Sequence, residues 1–190
     1  MSDRLILVSN RQLFSLIYNQ RRRSSAGDIP SLYMSSDIHV TAASIIESRG
    51  RFLLVEERVD GRVVLNQPAG HLDPGESLAT AAARETFEET GYTFAPTHLV
   101  GIYHWQNETG TTFVRFAFCG THTAPKGPVR LDHGIIGTHW LSRAQMLARE
   151  SDLRSPMVLR GVDDYLAGRR HSLDLVPYLS WERLARRATT

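Results

Sequence analysis

The stretch "GHLDPGESLATAAARETFEETGY" runs from Gly70 to Tyr92 and decides the reading of the chain. Asp73-Pro74-Gly75 has turn chemistry. Ser77 suits a helix N-cap and Gly91 the left-handed residue that ends a helix. Between them, Ala79, Ala81, Ala82 and Ala83 supply strong helix propensity. At about 100° per residue, Glu85, Glu88 and Glu89 share an arc of about 100°. The spacing therefore predicts three carboxylates on one open face, with Ala79, Ala82, Ala83, Thr86, Phe87 and Thr90 packing the opposite arc. Arg84 is the only base among these acids, and Glu76 adds a further acid upstream. A solvated acidic face costs only about 0.2–0.5 kcal/mol per like-charge pair, so crowding alone decides nothing. A solvated face is, however, usually balanced by Lys or Arg one turn away, and here it is not. A hard divalent cation, Mg²⁺ or Mn²⁺, would turn that repulsion into a site.

Outward from the helix, strands and helices mix. His39–Ile46 is rich in β-branched residues, and Phe52–Glu56 returns from the Ser48-Arg49-Gly50 turn as its hairpin partner. Val63–Leu65 is short and extended, and Gln67-Pro68-Ala69-Gly70 breaks regularity. Leu99–Trp105 and Thr112–Cys119 read as strands around a polar turn at Asn107–Gly110. Ile135–Leu141 is a last strand, Ser142 caps a helix through Arg149, and Pro156 opens another to about Gly168. This order predicts an α/β fold with a central sheet covered by helices.

The 190 residues leave room for one ordinary domain and a modest extension. Residues 1–33 carry five arginines against Asp3 and Asp28, so they hold +3 of the net +2, and the rest of the chain is −1. A domain that is not basic argues against duplex nucleic acid as a partner. No apolar run reaches the roughly 18 residues that cross a bilayer. Cys119 is the only cysteine, which excludes an intrachain disulfide and a cysteine-rich zinc site. It ends an apolar strand and reads as a core residue in a reducing, cytoplasmic protein. The first 36 residues read as a poorly ordered extension or a mis-called start, with Met34 as the alternative initiator. They resemble a transit peptide only loosely.

The seven fixed positions Gly70, Glu76, Arg84, Glu85, Glu88, Glu89 and Gly91 resemble the signature of the Nudix hydrolase family. Chance would produce them in about one window in 10⁸. Thr86 and Tyr92 stand where that signature usually has aliphatic residues. "HVTAASIIESRGRFLLVEERVDGRVVLNQPAGHLDPGE", "YHW" at Tyr103–Trp105 and "LRSP" at Leu153–Pro156 extend the likeness to NudJ-type phosphatases. It covers about His39–Leu175, so the domain is placed at 37–175 with a tail over 176–190.

The resemblance implies a Nudix-type α/β/α sandwich with a mixed central sheet and a loop-helix catalytic box. It implies a Mg²⁺-dependent phosphohydrolase (Mn²⁺ as an alternative ion). The activity would be that of a nucleoside triphosphatase or pyrophosphatase. Substrates would be nucleoside tri- and diphosphates or the pyrimidine pyrophosphate of thiamine synthesis, with release of phosphate. Glu85, Glu88 and Glu89 would hold the metal, Gly70 would offer a carbonyl, and Glu76 would support the loop or ligate through water. Glu85 or Glu89 would be the general base, Glu85 first. Arg84 would orient a neighbouring carboxylate and is counted with the catalytic set. Asp132 and Glu108 are the loop acids available as auxiliary ligands, and each reads otherwise as a solvated loop acid. Trp105 and Phe113 are expected to stack on substrate, Arg51, Arg115 and Arg154 are candidate phosphate contacts that read otherwise as surface or structural arginines, and His71 lies beside Gly70.

The partner expected is a small molecule, with no membrane and a monomeric chain. Alternatives are an oxidised-nucleotide sanitiser, a nucleotide sensor without turnover, and an RNA-associated hydrolase using Arg21–Arg23. ADP-ribose is less favoured, because no proline occurs between Pro96 and Pro125.

Overall fold

The computed structural model describes residues 38–180. The expected N-terminal extension and the last ten residues of the expected tail lie outside them. Two four-stranded sheets form the frame. The first contains β1 (Ile38–Ile45), β5 (Ala69–His71), β6 (Thr93–Gln106) and β7 (Thr112–Thr123), in the order β5-β1-β7-β6. It is mixed: β1 and β7 run parallel, with Thr41 opposite Arg115 and His39 opposite Phe113, and the other pairs are antiparallel. The second sheet joins β2 (Glu47–Ser48), β3 (Arg51–Val59), β4 (Arg62–Asn66) and β8 (Ile135–Leu141), all antiparallel.

The hairpin expected between β1 and β3 exists only at its tip. Glu47 pairs with Phe52, Leu53 donates its N–H to Ile46, and the two strands then part into different sheets. Burial on both sides explains the parting, since residues 41–46 and 52–55 are all buried. Side chains alternate across a strand, so each strand serves two cores. Ala42, Phe118 and Leu99 pack with Ala81 and Ala82 of helix α1 (Leu78–Thr90). Ile45, Ala117 and Cys119 pack on the other side with Leu54, Leu65 and the Val158, Leu159 and Val162 stripe of α3 (Met157–Leu166). Cys119 is thus a core residue. The short α2 (Arg143–Ala148) carries a reciprocal capping box between Ser142 and Gln145, as its sequence suggests.

Helix α1 is fixed at both ends as read. The Ser77 hydroxyl accepts from Thr80 N–H, and Gly91 at φ 71° returns its N–H to Phe87 O. Its orientation differs from the expectation. The buried arc holds Ala81, Ala82, Glu85, Thr86, Glu89 and Thr90, so two of the three carboxylates lie inside it. Phe87, expected to pack, is 59% exposed. At 100° per residue Ala82 falls only about 20° from Glu89, so the small residues and the acids form one continuous face. Thr86 earns its departure from the aliphatic pattern: its hydroxyl lies 2.7 Å from both Ser44 Oγ and Ala82 O, clasping the helix to β1. Among the described residues no helix is long and apolar enough to cross a membrane.

Candidate active site

The site is built where α1 meets the strap Asn66–Gly70, which leaves β4, runs beside β1 and enters β5. The strap is pinned at Pro68, whose carbonyl accepts from Ser44 N–H at 2.9 Å. One residue on, Ala69 N–H donates to Glu89 Oε2 at 2.9 Å. At Gly70 the backbone lies so close to α1 that a Cβ would overlap the Glu85 carboxylate. Only glycine allows that approach. Glu85 and Glu89 are 7% and 8% exposed, one helical turn apart, with their oxygens gathered against the strap.

This placement controls protonation. Burial pushes the Glu89 carboxyl up to about 9, and the charges of Glu85, Glu57 and Asp132 push the same way, while the Ala69 N–H holds it down in part. Two of those neighbours come from outside the helix. Asp132 is exposed, and its N–H to Glu88 O at 3.0 Å ties this loop acid to the end of α1. Glu57 was missed by sequence reasoning. It enters from β3, where its carboxylate accepts from Asn66 Nδ2 at 3.1 Å and lies 3.5 Å from Arg154. The available signal was a pair of acids closing an otherwise apolar strand.

On the outer side Arg84 joins the remaining acids. Its guanidinium donates to Glu76 at 2.7 Å, to Glu85 at 2.8 Å, to Glu88 at 3.0 Å and to His71 O at 3.0 Å. These partners raise its already high pKa. Burial alone would raise Glu76, but the Arg84 hydrogen bond, the Asp73 N–H and the Arg84 charge together hold its carboxyl below the usual range. Glu76 also accepts from Asp73 N–H and so closes the loop before α1. Glu88 is exposed and borders a cleft of about 840 Å³ with Phe87, Lys126, Arg130 and Asp132.

The donor set fits a hard cation: Glu85 and Glu89 place buried carboxylate oxygens against neighbouring residues of the strap, Gly70 and Ala69. Among the described residues no three acid or imidazole groups converge as a ready metal cluster. Arg84 bridges the gap between Glu85 and Glu88.

The aromatic candidates form one row across the first sheet. Trp105 stacks on Phe113 with centroids 5.5 Å apart, Phe113 stacks on His39 at 5.1 Å, and His39 meets His71 edge-on at 5.0 Å. The row therefore starts beside Gly70 and ends at Trp105, which borders a second cavity of about 670 Å³.

The arginine candidates separate. Arg51 is exposed at the start of β3, where it donates to Trp140 O and Gln145 Oε1 at 3.3 Å. Six residues of strand, about 20 Å, divide it from Glu57, so the structure does not bring it to the carboxylates. Arg115 is 5% exposed and points inward, bonded to Asn66 and Gln67 rather than open to a phosphate. The two expectations fail for one reason: a strand position does not reveal which end or which face meets the helix. Glu108, in the exposed turn after β6, forms no part of the cluster.

Comparison with known proteins places the chain in a family and a fold. The NUDIX domain model matches residues 36–160. The chain is 38% identical over 145 residues to Phosphatase NudJ of Escherichia coli K12, covering 75% of this chain and 93% of that protein. It matches Phosphatase NudJ of Shigella sonnei to the same extent. Among solved structures, a NUDIX hydrolase from Nitrosomonas europaea superposes with a TM-score of 0.73 at 43% identity, over 75% of this chain and 98% of the other. The MutT protein from Methanosarcina mazei Go1, at 24% identity and a TM-score of 0.58, covers 72% of this chain and 99% of its own and shares the fold.

Proposed function

This chain belongs to the NUDIX hydrolase family, and on that premise we propose that it is a Mg²⁺-dependent phosphohydrolase releasing phosphate from a small phosphoanhydride. The substrates in view are nucleoside tri- and diphosphates and a pyrimidine pyrophosphate. The observation that carries the reading is the buried Glu85–Glu89 pair set against Gly70 on a strap bonded to Glu89.

Glu85, Glu88 and Glu89 would hold the cation, with the Gly70 carbonyl and Glu76 in support. The bound ion would neutralise phosphoryl oxygens and acidify water. Glu85 takes the proton of the attacking water in this scheme. Arg84 orients Glu85 and Glu88 and fixes Glu76, and it must loosen its hold on the first two when the ion enters. Trp105 would stack on the substrate ring, because face-on aromatic contact needs only a planar partner, and Phe113, which already stacks on both Trp105 and His39, would hold the indole in place.

The test is a panel of nucleoside di- and triphosphates and pyrimidine pyrophosphates with Mg²⁺, products separated. Release of phosphate supports the proposal. Pyrophosphate released from triphosphates would replace it with the sanitising reading, and binding without turnover with the sensor.

A further inference from the structure

Arg115 sits on β7 with its charge enclosed, and no surface-arginine account explains it. Its Nη1 donates to two amide oxygens at once, Asn66 Oδ1 at 3.1 Å and Gln67 Oε1 at 3.3 Å. Both amides are buried, at 5% and 2% exposure. An amide whose oxygen is held by a cation has only its NH₂ left to offer. For Asn66 that NH₂ meets Glu57 Oε1 at 3.1 Å, and for Gln67 it meets Val158 O at 2.8 Å, at the start of α3. One guanidinium therefore sets the orientation of both side chains.

Those two residues are the root of the strap. Two positions beyond Gln67 is Ala69, whose N–H holds Glu89, and the next residue is Gly70, packed beneath Glu85. Glu57, at the far side of Asn66, is the β3 carboxylate whose charge acts on Glu89. The arginine is not optimised for stability: its buried Nε has no hydrogen-bond partner. Such an orphan ordinarily costs free energy.

We propose that Arg115 is a positioning residue of the hydrolytic site, which acts from inside the sheet by orienting Asn66 and Gln67 and, through them, Glu57 and the strap that seats Glu85 and Glu89. It touches neither substrate nor metal. This rests on the proposed hydrolase reading of that site, and it replaces the phosphate contact expected of Arg115.

The test compares Arg115→Lys, Asn66→Ala and the double variant as full-length chains, each checked by thermal melting. kcat and KM are measured with Mg²⁺ for a nucleoside diphosphate and a triphosphate. Lysine keeps the charge, but its ammonium ends one bond short of the position of Nη1, so it cannot hold both amide oxygens at their present distances. Arg115→Lys is expected to lower kcat roughly tenfold, the scale for a partner that orients metal-site carboxylates. KM should stay within about twofold for both substrates. Asn66→Ala leaves Arg115 in place and should show the same pattern even if the lysine variant misfolds. The double variant should be no slower than the worse single one, because both cut the same link.

The Asn66 and Gln67 side-chain amide resonances should move and exchange faster in Arg115→Lys. A loss in KM that grows with phosphate number would overturn the proposal in favour of direct contact. Unchanged kcat in both single variants, or additive losses, would overturn it as well. If the wild type hydrolyses no phosphoanhydride, the hydrolase reading fails, and unmoved amide resonances in Arg115→Lys would then separately refute the hold on the strap.

Discussion

Replacing Glu89 with Gln should change stability in a way that depends on pH. In the folded, metal-free protein the carboxyl is pushed up to about 9 from an ordinary 4.5, chiefly by burial. Between those values the folded state keeps a proton that the unfolded state has lost. The stability associated with that proton is fully present below about 4.5 and is lost as pH rises toward 9. Each pH unit in that window removes at most about 1.4 kcal/mol, so two units, from pH 5.5 to 7.5, remove at most about 2.7 kcal/mol. Glutamine is nearly isosteric with the protonated acid, can still accept from Ala69 N–H, and does not titrate.

Urea denaturation of both proteins in chelator at the two pH values reads the effect. Other titrating groups are common to both proteins, so their contribution cancels in the difference. Glu89→Gln should gain on the wild type as pH rises, by up to about 2.7 kcal/mol across the interval. A difference that does not change with pH would refute the argument, because Glu89 would then be ionised in the folded state. Added Mg²⁺ should stabilise the wild type and leave the variant nearly unmoved.

Other outcomes follow from the same geometry. Metal binding at pH 7.5 should release close to one proton, read by calorimetry in buffers of different ionisation enthalpy, since a ligand must be deprotonated. Gly70→Ala should lower kcat at least tenfold, because the methyl group displaces the Glu85 carboxylate, and a steady-state assay checks it. Phe87→Ser should change unfolding free energy by no more than about 0.5 kcal/mol in a melt, as the ring is exposed. Trp105→Ala should raise KM for ring-bearing substrates while leaving kcat near wild type.

The acidic helix was legible because its markers are local. Ser77, Gly91 and the alanines between them act on their own backbone, and the seven fixed residues fall in one segment. The facing of that helix was not. A helical projection gives angles among Ala82, Glu85, Thr86 and Phe87 but not which arc the sheet covers. Polar Ser44 on β1 helped to decide it by accepting Thr86. Glu57 and Arg115 were misread or missed for a related reason. Their places depend on strand register across residues far apart in sequence, Glu57 opposite Val64 and Arg115 opposite Thr41. The Trp105–Phe113 contact was half legible, since the polar turn at Asn107–Gly110 announces the hairpin that pairs them.

The most direct measurement of the central claim is the Mg²⁺-dependent rate of phosphate release by Glu85→Gln/Glu89→Gln beside the wild type, at matched folding by circular dichroism. The account predicts that the double variant falls to the uncatalysed background while keeping its fold. Turnover near the wild-type rate in the folded double variant would place the chemistry elsewhere.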